Sequence, residues 1–144
     1  MSDPRVPAIL RARPWRVRPE HFALVGLPPT AYGAAAGLLA ELRAPFAQLV
    51  AEPDVLTLLL PAEAWQSHSA AFPAAQFEQP FRIISFDVDL PPDLVGFLAA
   101  ASAALAGVGV PILAVCGYSK DHIAVRDQHL GAALAALEAL AGAK

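Results

Sequence analysis

The chain alternates short apolar runs with alanine-rich stretches, and prolines punctuate the joins. Residues 21–27 (HFALVGL) read as a strand closed by Pro28-Pro29. Residues 31–43 carry helical spacing, weakened by Gly33 and Gly37. Residues 46–50 (FAQLV) and 55–60 (VLTLLL) read as a hairpin around the turn Glu52-Pro53-Asp54. The second of these is continuously apolar, as a strand covered on both faces would be. Pro61 opens a short helix over 62–70. Residues 71–80, with Pro73 and Pro80, read as a linker.

The second half is more regular. Residues 81–90 (FRIISFDVDL) alternate as a strand, with Ile84, Phe86 and Val88 on one face and Ile83, Ser85 and Asp87 on the other. Pro91-Pro92-Asp93 breaks it and caps a helix over 93–107, in which Leu94, Phe97, Leu98, Ala101 and Leu105 form one stripe. Gly107 and Gly109 end that helix. Residues 110–116 form a strand, 117–120 a turn, 121–126 (DHIAVR) a strand, and 128–141 a last helix with Leu130, Leu134, Leu137 and Ala141 in line.

The second half therefore reads β-α-β-β-α, and the first half repeats it about 60 residues earlier, an internal duplication. The unit is the ferredoxin-like βαββαβ motif. The expected fold class is α+β, with tandem ferredoxin-like units, antiparallel sheets and helices on one face. The expected division is an irregular N-terminal arm over 1–19, a degenerate unit over 20–80 and a unit over 81–144. The second unit lacks its own last strand, and either the N-terminal segment or a partner chain would fill that edge. The arm holds four prolines and five of the eight arginines. It reads as a frayed terminus, so deleting 1–13 is expected to leave folding intact.

At 144 residues and 56% hydrophobic, the chain is long and apolar enough to bury a core. Much of that hydrophobicity is alanine, and no stretch reaches the ~18 apolar residues of a membrane span. A net charge of −3 gives no general reason to bind nucleic acid. One cysteine, Cys116, excludes an intramolecular disulfide or a cysteine-based zinc site within the chain. With no signal peptide legible, the expected location is the cytoplasm.

Candidate chemistry is sparse. Gly107-Val108-Gly109 follows a helix and precedes a strand, the reverse of a dinucleotide fingerprint. Cys116, Ser119, His122 and Asp127 can be sketched as a nucleophile set, but no nucleophile elbow accompanies them. His21, His68, His122 and His129 lack metal spacing, so no metal or cofactor is expected. Asp87 and Asp89 read as a solvated strand end. One geometry remains: the turn 91–96 leads to a helix start whose free N–H groups suit a carboxylate. The turn 117–121 ends on Asp121, which suits an ammonium group. Together they fit a zwitterionic amino acid.

The stretch from Phe81 to about residue 140 resembles the ACT domain family, most of all the tandem ACT-like proteins related to the animal cytosolic arginine sensor. The residues that carry the resemblance are Val95-Gly96-Phe97-Leu98, Leu105-Ala106 with Gly109-Val110-Pro111-Ile112, and 116–125 (CGYSKDHIAV). The first half departs more, with 52–59 (EPDVLTLL) at the matching place. The resemblance implies a non-catalytic regulatory or allosteric module that binds an amino acid between its units. By position it implies ligand contacts from Thr57, Leu58, Val95, Gly96, Gly117, Tyr118, Ser119 and Asp121. Ala99 stands where the arginine sensor has an acidic residue, which counts against a guanidinium ligand. A homodimer is expected. The alternatives are a structural dimerisation module without ligand and a small enzyme using Cys116.

Overall fold

A computed structural model describes residues 2–143. The chain divides into two compact units. The inner unit is Glu20–Phe81; the terminal unit joins the residues up to Pro19 with those from Arg82 onward.

The inner unit runs β2 (Phe22–Leu27), α2 (Tyr32–Leu42), β3 (Gln48–Ala51), β4 (Leu56–Pro61), α3 (Ala62–His68) and the first half of β5 (Gln76–Phe86). The strands lie in the order β3-β4-β2-β5, antiparallel throughout. Val25 faces Leu58, and Ala23 faces Leu60, so the alternate residues of both strands form one apolar face. That face buries against Ala35 and Leu38 of α2 and Trp65 of α3. Trp65 packs edge-on to Phe77 at 5.7 Å and at a tilt to Phe72 at 5.9 Å. Gly33 and Gly37 do not prevent α2, because both sit where nothing crowds them and Ala35 and Leu38 supply the buried face. The expected linker 71–80 is corrected: Gln76 to Pro80 already belong to β5. The polar, proline-containing run hid it, and the register of β5 against β2 shifts between Phe22 and Leu24, where Pro80 is accommodated.

The terminal unit contains α1 (Val6–Arg11), β1 (Trp15–Val17), the second half of β5, α4 (Phe97–Gly107), β6 (Leu113–Cys116), β7 (Asp121–Arg126) and α5 (Leu130–Gly142). Its order, β6-β7-β5-β1, repeats that of the inner unit, with β1 standing where a strand after α5 would stand. β1 pairs antiparallel with β5, Trp15 opposite Phe86 and Val17 opposite Ile84. The N-terminal segment thus closes the edge within the chain.

The irregular arm is corrected. Val6, Ile9 and Leu10 lie at i, i+3 and i+4, and Val6 and Leu10 are buried with Phe97, Ala101, Leu105 and Leu137. Pro7 sits in the first turn of α1, where its missing N–H has no cost. Two of its arginines tether it to the rest of the unit: Arg13 reaches Glu138 of α5 at 2.7 Å, and Arg18 reaches Ser85 of β5 at 2.9 Å. The helix start is corrected as well. α4 begins at Phe97, with Gly96 as its left-handed N-cap at φ +99°, not at Asp93. The stripe itself is as the spacing predicts, with Phe97, Ala101 and Leu105 buried.

Candidate functional site

A cavity of about 340 Å³ lies in the terminal unit, between the loop 90–96, the first turn of α4 and the β6–β7 turn. Leu90 N–H donates to Ser119 O at 2.8 Å and ties the two loops together. Gly117 N–H donates to Lys120 O at 2.8 Å and closes the hairpin turn. Leu94 N–H donates to Pro91 O at 2.9 Å and shapes the opposite wall. Pro91 and Pro92 cannot extend β5, so the strand gives way to this loop.

Ala100 N–H, the first in α4 with a backbone partner, donates to Gly96 O at 3.0 Å. Gly96 has no side chain to cap the amides of Phe97, Leu98 and Ala99, and all three residues line the cavity. These amides and the positive end of the helix dipole favour an anion. Across the cavity stands Asp121 at the start of β7. It is the cross-strand partner of Cys116 in the β6–β7 register. Cys116 is exposed as a residue, yet partial desolvation of its sulfur, helped by the Asp121 carboxylate, pushes the thiol up. That thiol stays protonated at neutral pH, the reverse of an activated nucleophile. Lys120 also lines the cavity and pairs with Asp89 at 3.6 Å.

The structure brings Gly96, Gly117, Tyr118, Ser119 and Asp121 to one cavity. Tyr118 is fully exposed at its rim. Val95 is exposed and lies outside the lining, and its carbonyl already accepts the Asp3 N–H at 2.8 Å. Thr57 and Leu58 belong to the inner unit. Thr57 lines a hollow of about 400 Å³ there with Leu24, Gly26, Gln76 and Glu78, and Leu58 is buried in the core.

Sequence reasoning missed a buried polar chain behind the β6–β7 turn. Arg18 Nε–H donates to Ser85 Oγ at 2.9 Å, and Ser85 Oγ lies 2.8 Å from His122 Nδ1. The guanidinium can only donate, so Ser85 Oγ accepts from Arg18 and meets the His122 ring with its hydroxyl proton or its second lone pair. Burial, reinforced by the Arg18 charge, pulls the His122 pKa below its ordinary value. Two isolated polar residues, Ser85 and His122, within the apolar strands 81–86 and 121–126 were the available signal. Among the described residues, no group of three or more His, Cys, Asp or Glu could hold a metal ion. Among the described residues, no helix is long and apolar enough to cross a membrane.

The ACT domain family model matches residues 76–139, from the start of β5 into α5. No curated protein matches the chain. Among solved structures, a Vibrio cholerae protein of unknown function is similar with a TM-score of 0.70 and 26% identity over 90% of this chain and 89% of that one. Clostridium acetobutylicum aspartate kinase is similar with a TM-score of 0.68 and 11% identity, over 88% of this chain but 34% of the kinase. The ligand-free regulatory subunit of Thermus thermophilus aspartate kinase gives a TM-score of 0.63 and 15% identity over 87% of this chain and 97% of that one. With antiparallel sheets, flanking helices and these neighbours, the fold is the ACT-like, ferredoxin-type fold.

Proposed function

We propose that the cavity of the terminal unit binds a free amino acid and that the protein is a non-catalytic regulatory module. The observation that carries this reading is the pairing of an uncapped α4 start with Asp121 across one cavity. The amides of residues 97–99 would hold the α-carboxylate, and Asp121 would take the ammonium group. A cavity of about 340 Å³ sits at the small end of ligand sites, which suits a metabolite of this size. The match to the ACT domain and the likeness to an aspartate kinase regulatory subunit support a regulatory role. The raised Cys116 thiol counts against an enzyme built on that cysteine.

Thermal unfolding with each of the twenty L-amino acids tests the reading. An amino acid at 100 times its Kd adds about 2.7 kcal/mol of stability. A flat response to all twenty would leave the structural module without ligand as the better account. The homodimer is kept as part of this proposal on different grounds from the missing strand, which β1 supplies. β6 remains an edge strand whose free side invites a second copy. Light scattering at ~50 μM gives a dimer mass if this is right and a 15.0 kDa particle if not.

A further inference from the structure

We propose that the segment Ser2–Arg5 is a strap that holds the α4 side of this cavity in its binding shape, so that strap docking and occupancy of the cavity are coupled. The coupling rests on the amino-acid reading above; the positioning does not. Asp3 N–H donates to Val95 O at 2.8 Å, one residue before the α4 N-cap. Ser2 stands directly over Gly96: a Cβ at Gly96 would fall 2.7 Å from Ser2 Oγ. Gly96 therefore has the strap against its Cα while also lining the cavity.

The strap is itself anchored. Val6 N–H donates to Asp3 O at 3.0 Å, which joins the strap to α1. The Asp3 carboxylate receives the Arg5 backbone N–H at 2.9 Å and the Arg5 guanidinium at 2.9 and 2.6 Å. α1 in turn is held by Val6 and Leu10 in the core. A rigid path thus leads from a core helix to the residue that aims the amides of 97–99.

Those amides can receive a carboxylate only if residues 95 and 96 keep their conformation. Gly96 at φ +99° has the wide freedom of glycine, and an unsupported loop there would sample other orientations. The strap removes that freedom before the ligand arrives, which is preorganisation. By linkage, whatever factor the strap adds to ligand affinity, the ligand returns to strap docking.

The test separates the Asp3 N–H from the Asp3 charge. Asp3→Pro removes the donor to Val95; Asp3→Asn keeps it and removes the charge. Amide hydrogen exchange is read on ligand-free protein. Exchange at Ala100, whose N–H is bonded to Gly96 O, should quicken about tenfold or more in Asp3→Pro and stay near the parent in Asp3→Asn, a factor typical of such couplings. Exchange at Ile123, Ala124 and Val125 should not change. Equal exchange at Ala100 in all three proteins, or equal acceleration in both variants, overturns the assignment. Should Asp3→Pro unfold the unit, the parent decides. There the Asp3 amide must be protected, and exchange at the free-peptide rate beside a protected α4 start overturns the proposal. The twenty L-amino acids are then titrated into parent and variants. The best binder should lose about fivefold or more in affinity in Asp3→Pro alone. Unchanged affinity refutes the coupling. No binding by the parent refutes the ligand reading and the coupling with it, while the exchange data still decide the strap.

Discussion

Leu10→Ala is the sharpest probe of how the N-terminal segment contributes to the fold. Leu10 is 5% exposed and packs in a core that includes Val6, Phe97, Leu105 and Leu137. Truncation to alanine removes three carbons, a transfer loss of about 2.4 kcal/mol at ~0.8 kcal/mol per methylene. A residual cavity would add to this, but Leu10 borders a hollow of about 270 Å³ shared with Val6, Pro7 and Leu140, where neighbours have room to relax. The expected loss is therefore near the low end for a buried leucine, about 2.5–3 kcal/mol. For a chain of this size that lowers Tm by about 8 °C. Urea unfolding should show a reduced midpoint with an unchanged slope. Ala8→Ser, on the exposed side of α1, serves as the control and should stay within about 0.5 kcal/mol. A Leu10→Ala loss of less than ~0.5 kcal/mol would show that α1 is not packed on the core and that the segment is the frayed arm its composition resembles.

Gly96→Ala should cost about 2 kcal/mol, because φ is +99° and the new methyl meets Ser2 Oγ; a loss under ~0.5 kcal/mol in chemical denaturation would contradict both reasons. His122 is neutral in the folded unit with a lowered pKa, so the unfolded chain binds its proton first as pH falls. Stability from this residue is present above about pH 6.5 and declines as pH drops below that value. Urea titrations from pH 7 to pH 5 should show a shallower decline in His122→Phe than in the parent, and parallel curves would refute the assignment. Cys116 should alkylate more slowly than free cysteine at pH 7.5, and Asp121→Asn should speed it by removing a neighbouring negative charge. An alkylation rate in the parent equal to that of free cysteine would show that the thiol is unperturbed.

Periodicity made the core legible where both faces of an element agree. The run 55–60 (VLTLLL) reads as a covered strand, and β4 buries Leu56, Leu58, Leu59 and Leu60. The segment 121–126 (DHIAVR) reads as a strand between a turn and a helix, and β7 has the same bounds. Composition hid the rest. Four prolines and five arginines obscured the Val6, Ile9, Leu10 face of α1, and the tertiary contacts of Arg13 and Arg18 are ones that spacing does not reveal. The polar run from Gln76 to Pro80 concealed the start of β5, since its strand character depends on pairing with β2. At the candidate site, the loop 91–96 and the turn 117–121 were legible from proline, glycine and Asp121. The pairing of Cys116 with Asp121 follows from that hairpin. The contacts of Ser2 and Asp3 with Gly96 and Val95 span more than 90 residues of sequence, and no local pattern encodes them.

The central claim is that an amino acid sits between the α4 start and Asp121. Amide chemical-shift mapping on labelled protein, with the L-amino acid that stabilises it most, tests this directly. The account predicts saturable shifts concentrated at residues 97–99 and 117–121, and loss of those shifts in Asp121→Asn with the fold retained. Saturable shifts that cluster elsewhere, or that persist unchanged in Asp121→Asn, would contradict it.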